Sequence, residues 1–189
     1  MRTISRIFIL AMLASQLAGC FAAVVGGAAA GGVMAADRRT SGIYIEDQGI
    51  ELKAVNQINS ELGENIHVNV TSFNRNVLIT GEAFNEASKK RAEEIVKSIE
   101  NVKNVTNELA IGPRSSLSSR SNDTYITSKV KGRLATENRF PANYVKVVTE
   151  RSVVYLMGLV TQQEAADAVE IASGTSDVEK VVKVFEYMD

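Results

Sequence analysis

Apolar and polar positions along this chain fall into helix and strand periods that occur twice. Over residues 47–62 the apolar positions Ile50, Ala54, Ile58 and Leu62 keep helical spacing, and Ile126, Val130 and Leu134 repeat it over 123–136, displaced by 76 residues. Alternation follows at 67–70 and 76–81 in the first copy and at 144–147 and 152–158 in the second, which predicts two hairpin strands per copy. The intervening Asn74-Arg75-Asn76 and Glu150-Arg151-Ser152 are polar segments suited to tight turns. Gly81 and Gly158 stand where each second strand is expected to close. A second helical face follows at Ala92, Ile95, Val96 and Ile99, matched by Ala168, Ile171 and Ala172, and a closing strand is expected at 102–105 and 178–181.

Each copy therefore reads α-β-β-α-β. The predicted fold class is α+β: two tandem domains, at 47–112 and 123–189, each a mixed three-stranded sheet packed on two helices. Residues 113–122 are a linker by composition, and 42–45 carry a short strand pattern. The apolar run from Val153 to Val160 exceeds what one sheet face needs, and Leu117 is apolar in a polar linker; both predict that the copies pack together. Phe185 and Tyr187 are expected to add to that contact.

The first 46 residues read differently. Arg2 and Arg6 precede an apolar run from Ile7 to Leu13, which leads into small residues at Ala18-Gly19, the layout of a secretory signal peptide over 1–19. Leu17-Ala18-Gly19-Cys20 resembles the bacterial lipobox, which implies that Cys20 is diacylated and becomes the lipid-carrying N-terminus. Residues 20–46 then form a Gly/Ala-rich tether. The competing reading is a spanning anchor, since 7–36 hold no charge; Ser15, Gln16 and the glycines at 26, 27, 31 and 32 weigh against it. Phe21 stands where an aspartate would be the usual inner-membrane retention signal, so the sorting rule points to the outer membrane, facing the periplasm.

Composition closes several classes. The 21 basic and 22 acidic residues give a formal charge of -1, without the basic footprint of a nucleic-acid binder. Processing at Cys20 would remove Arg2 and Arg6 and no acidic residue, taking the charge to -3. One cysteine and one histidine are too few for a disulfide framework or a Cys/His zinc site, so neither metal nor cofactor is expected. His67 has no nucleophile partner in the pattern, and Glu93-Glu94 fall on the solvent side of a helix, so no catalytic constellation emerges and an enzyme is not expected.

The two first helices differ. With Ile126, Val130 and Leu134 turned to the core, Tyr125, Ser128, Lys129, Gly132, Ala135 and Thr136 lie on the opposite side, flanked by Lys131 and Arg133. An aromatic and small residues beside cations suit contact with an anionic phospholipid surface. The aligned positions of the first copy, Gly49, Leu52, Lys53 and Asn56, include no aromatic.

The α-β-β-α-β order, the aspartate before helix one, the strand ending in glycine and the closing Val-x-x-Val resemble the BON domain. Behind a lipobox, the duplicated unit resembles the dual-BON outer-membrane lipoproteins of the DolP family, with residues 122–130 and 154–161 close to that family's pattern. The resemblance implies anionic phospholipid, phosphatidylglycerol in particular, as the partner of helix one in the second domain. On this helix Tyr125, Ser128, Lys129, Lys131, Gly132, Arg133, Leu134, Ala135 and Thr136 are expected to carry the contact, and the resemblance implies support of envelope integrity at division sites. Two departures bear on insertion: the family's aromatic is typically tryptophan where this chain has Tyr125, and a leucine near the helix end is replaced by Ala135. The alternative is a protein-interaction module serving outer-membrane assembly or septal cell-wall remodelling, with outer-membrane assembly or divisome proteins as partners.

Overall fold

The computed structural model describes residues 37–63 and 66–189; the expected signal peptide, Cys20 and the first part of the tether lie outside them. Helix α1 (Ser41–Leu62) is followed by strands β1 (Ile66–Phe73) and β2 (Asn76–Ala83), helix α2 (Glu86–Lys97), and strands β3 (Asn104–Asn107) and β4 (Ala110–Ile111). The second copy runs α3 (Leu117–Glu137), a 3-10 turn (Ala142–Tyr144), β5 (Val145–Glu150), β6 (Val153–Val160), α4 (Gln162–Ser173) and β7 (Lys180–Tyr187). In each sheet the hairpin is antiparallel and the last strand returns parallel to the second, which makes the sheets mixed.

The helices form where the period placed them. Asp47, Ile50, Ala54 and Ile58 are the buried positions of α1, and Asp123, Ile126, Val130 and Leu134 those of α3, one stripe per helix facing its sheet. Both helices begin earlier than expected. Thr40 accepts from the Ile43 amide at the head of α1 and Ser116 from the Ser119 amide at the head of α3, so each helix starts about two turns before its core stripe. The strand expected at 42–45 is helix, as are the ends of the tether and of the linker. Those first turns reach past the sheet, leaving Ile45 and Leu117 exposed, and hydrophobic periodicity reports only helix that touches a core.

The expected end of each second strand at Gly81 and Gly158 is corrected: β2 continues to Ala83 and β6 to Val160. A Cβ on Gly81 would stand 2.1 Å from the His67 carbonyl oxygen and one on Gly158 2.4 Å from that of Tyr144. The glycines are therefore points of close backbone approach inside the hairpins. The first closing strand also departs from expectation, since Glu108 and Leu109 divide it into β3 and β4, both parallel to β2, which gives a four-stranded sheet. Leu109 drops into the core there.

Two aspartates at equivalent places fasten helix to hairpin. Both turns pass through left-handed backbone, at Asn74-Arg75 and at Arg151-Ser152. Asp47 accepts from the amides of Asn74 (2.9 Å) and Arg75 (2.8 Å), and Asp123 from those of Arg151 (3.0 Å) and Ser152 (2.9 Å). A carboxylate from helix one thus satisfies turn amides that a tight hairpin leaves without partners.

The copies pack, through the sheet faces turned away from the helices. On β6, Val154, Leu156 and Val160 join the helix-side core while Tyr155 and Met157 meet Phe73 and Leu78 of the first domain. Leu78 and Met157 are fully buried in this seam, each stabilising by roughly 1.5–3 kcal/mol relative to exposure. Val182 and Val184 contribute from β7, whereas Phe185 lies in the helix-side core, with Tyr187 edge-on to it at 6.3 Å. Alternation along β7 decides this, and neither aromatic is part of the seam. At the rim Lys146 pairs with Glu51 (2.8 Å), and Glu186 accepts from Asn74 (2.7 Å) and Asn76 (2.8 Å). Arg38 grips the second domain through Glu164 (2.7 Å) and the Tyr144 ring (3.7 Å), while Arg39 grips the first through Asp47 (2.7 Å) and the Phe73 ring (3.9 Å).

Candidate functional site

The outer face of α3 is where the expected contact residues fall, and most of them are exposed: Tyr125, Ser128, Lys131, Gly132, Ala135 and Thr136. Leu134 is not among them. It is 1% exposed and packs in the second core, so its place in the expected contact set is corrected; the helical stripe that puts Ile126 and Val130 inward carries it inward too.

Tyr125 is 60% exposed, and Gly132 leaves open space beside the helix. Three hydroxyls on this side donate back into the helix: Thr124 to the Arg120 carbonyl (2.9 Å), Ser128 to that of Thr124 (2.9 Å) and Thr136 to that of Gly132 (3.0 Å). A face that reads as polar from composition therefore presents hydroxyl groups already satisfied, at a lower desolvation cost than free ones.

The cations divide. Lys129 lies 5.0 Å over the Tyr125 ring, donates to the Ser176 carbonyl (2.9 Å) and hydroxyl, and pairs with Asp177 at 2.6 Å. Arg133 donates to the Ile171 carbonyl (2.9 Å) and Thr175 Oγ1 (3.2 Å) and pairs with Glu137 at 2.6 Å. Both are tied to neighbouring protein groups: apart from the i,i+4 pair of Arg133 with Glu137, these contacts join residues 38 to 48 apart in sequence, which no periodicity reveals. Lys131 is exposed and, among the described residues, has no protein partner.

Two recesses flank the face. One, of about 490 Å³, lies between α3 and the turn after α4 and is lined by Lys129, Gly132, Arg133, Thr136, Gly174 and Thr175. The other, of about 440 Å³, lies toward the seam and includes Arg120 and Lys131 but also the carboxylates Asp123 and Glu150. Burial pushes the Glu150 carboxyl up; the Asn69 hydrogen bond opposes this, and the charges of Glu82 and Asp123 add to it. An anion is better matched by the first recess, whose lining carries two cations and no carboxylate.

The equivalent face of α1 shows Ile45 and Leu52 exposed, with Gly49 at the place of Tyr125. His67 Nδ1 stands 3.0 Å from the buried Glu82 carboxylate, and among the described residues no nucleophile is joined to the pair. Among the described residues no group of His, Cys, Asp and Glu is arranged to hold a metal, and no helix is long and apolar enough to cross a membrane.

The BON domain family model matches residues 47–113 and 122–189. The chain is 39% identical over 175 residues to the outer membrane lipoprotein DolP of Haemophilus influenzae, covering 92% of this chain and 91% of that one. It is 29% identical to the 21 kDa hemolysin of Actinobacillus pleuropneumoniae, over 80% of this chain and 79% of that one. To the osmotically-inducible protein Y of Escherichia coli it is 26% identical, over 75% of this chain and 72% of that one.

Proposed function

The chain belongs to the dual BON-domain DolP family, and on that premise we propose that it is an outer-membrane lipoprotein, held by an acylated Cys20 and facing the periplasm, that binds anionic phospholipid through α3 without catalysing a reaction. Phosphatidylglycerol is the headgroup proposed, and support of outer-membrane integrity at division sites the role. Several acyl chains on Cys20 make attachment stable where one would be marginal. The anchor secures residence at the membrane, and α3 reads its charge.

The observation that carries the reading is the exposed Tyr125 on a helix face whose hydroxyls are satisfied internally. A tyrosine can lie at headgroup depth with its ring toward the acyl chains, and small residues at 128, 132 and 135 let the helix approach closely. Lys131 adds an open cation. The mature charge of -3 means that attraction to an anionic surface has to be local to this face. Tyr125 in place of tryptophan and Ala135 in place of leucine reduce the apolar area inserted.

Co-sedimentation of the 37–189 fragment with phosphatidylglycerol and with phosphatidylcholine vesicles tests the reading. Both cores and the seam are built within this fragment, so it carries the fold without the anchor. Selective binding to the anionic vesicles, lost in Tyr125→Glu and weakened by salt, is the expected result. Absence of binding to either would refute the lipid reading and favour the protein-interaction module.

A further inference from the structure

Lys129 and Arg133 are the cations through which an anionic headgroup would be held at the recess beside α3, and Lys129 already holds an anion. Its ammonium is met by the Ser176 carbonyl, the Ser176 hydroxyl and the Asp177 carboxylate at 2.6 Å, with the Tyr125 ring 5.0 Å away. Three oxygens around one ammonium, beside an aromatic ring, resemble what a phosphate diester would offer at the same place. Asp177 sits in the turn between α4 and β7 at a backbone φ of 70°, and its side chain is 58% exposed. The hydrogen bond from Lys129 holds its carboxyl below the usual aspartate range, so it is charged at neutral pH.

Next to this pair the recess of about 490 Å³ is open to solvent and lined by Lys129 and Arg133 with no carboxylate of its own. Arg133 is held there by the Ile171 carbonyl, Thr175 and, through its other terminal nitrogen, the Glu137 carboxylate at 2.6 Å, and Gly174, with Arg133 Nη1 3.2 Å from where its Cβ would be, keeps the floor clear of a side chain. An exposed ammonium–carboxylate pair is weak and exchanges readily for another anion.

We propose that Asp177 is a built-in competitor for the ligand: a phosphate diester of an anionic lipid headgroup enters the recess beside Arg133 and displaces the Asp177 carboxylate from Lys129, so that Asp177 sets the affinity of α3 for anionic membrane. This rests on the lipid-facing reading of α3 and adds to it where the phosphate sits and what opposes it. The competitor serves discrimination. A surface of low charge density does not displace Asp177, whereas one rich in anionic headgroups does.

The test is vesicle co-sedimentation of the 37–189 fragment and its Asp177→Asn variant. Asparagine tolerates left-handed backbone, so this variant keeps the turn. Asp177→Asn is expected to bind phosphatidylglycerol vesicles about fivefold more tightly, the increment of one further basic residue near an anionic surface. Glu100→Gln, the same charge change on an exposed residue of the first domain, is expected to leave binding as it was, and Lys129→Gln to cancel the gain from Asp177→Asn. If the parent fragment binds in a Tyr125-dependent way but Asp177→Asn binds no better, or Glu100→Gln gains equally, the competitor is overturned while the lipid reading stands. If neither the parent nor Asp177→Asn binds, the lipid reading fails and the competitor with it. Inorganic phosphate titrated alone separates a free anion from a headgroup: saturable amide shifts at 174–177 without vesicle binding would assign the recess to the free ion and overturn the proposal.

Discussion

Replacing Asp47 by alanine removes more than one contact. Its carboxylate is fully buried and accepts from Ser72 Oγ at 2.6 Å, from the Asn74 and Arg75 amides at 2.9 and 2.8 Å, and from Arg39 at 2.7 Å. Hydrogen bonds to a charged group are worth about 1.5–3 kcal/mol each, and removing one member of a buried ion pair costs about 3–5 kcal/mol. These do not add, because the same water that enters the site serves several donors. We expect Asp47→Ala to cost about 4 kcal/mol. Asp123 is its counterpart, buried in the same helical position, but it accepts from two turn amides, and among the described residues no arginine forms a salt bridge to it. Asp123→Ala is expected to cost about 2 kcal/mol. Urea unfolding of the 37–189 fragment followed by circular dichroism gives both values. In an Arg39→Met background the cost of Asp47→Ala should fall toward that of Asp123→Ala. Equal costs in the parent background, or no change with Arg39→Met, would refute the assignment of the difference to the arginine.

Glycine substitutions should split by location. Gly158→Ala places a methyl 2.4 Å from the Tyr144 carbonyl oxygen and is expected to destabilise by about 3 kcal/mol, whereas Gly132→Ala, in open space on a helix, should stabilise by up to about 1 kcal/mol; thermal melts of the two variants decide it. Glu150 gives a pH prediction of definite sign. Burial raises its folded pKa above the unfolded value, so the native state binds the proton more tightly, and stability falls as pH rises from the ordinary glutamate range through the raised folded value. Glu150→Gln, which keeps an oxygen for Asn69, should therefore gain stability at neutral pH and lose that advantage below the glutamate range; unfolding across pH checks it.

The repeat, the α-β-β-α-β order, the core stripes of all four helices and the two-sided apolar run of β6 are legible in the linear pattern. Burial against one partner imposes a period of 3.6 on a helix and of 2 on a strand, and that period is written locally. Tyr125 was legible for the same reason, as the position opposite a buried stripe.

Contacts between residues distant along the chain leave no such local trace and emerge with folding. The early starts of α1 and α3 lie beyond any core, so the sole local signals were the caps Thr40 and Ser116. Gly81 and Gly158 looked like strand ends because a missing side chain marks a break and a close approach alike, and the distance to the facing carbonyl tells them apart. Leu134 is the exception: it stands in the expected contact set, yet the helical stripe legible in the sequence already turns it inward, and the structure buries it. Whether Lys129 and Arg133 are open to a ligand was set by Asp177, Thr175 and Glu137, and two of these come from the turn after α4, which folding brings against α3. A cation's charge is a property of its residue, while its availability depends on what the fold places beside it.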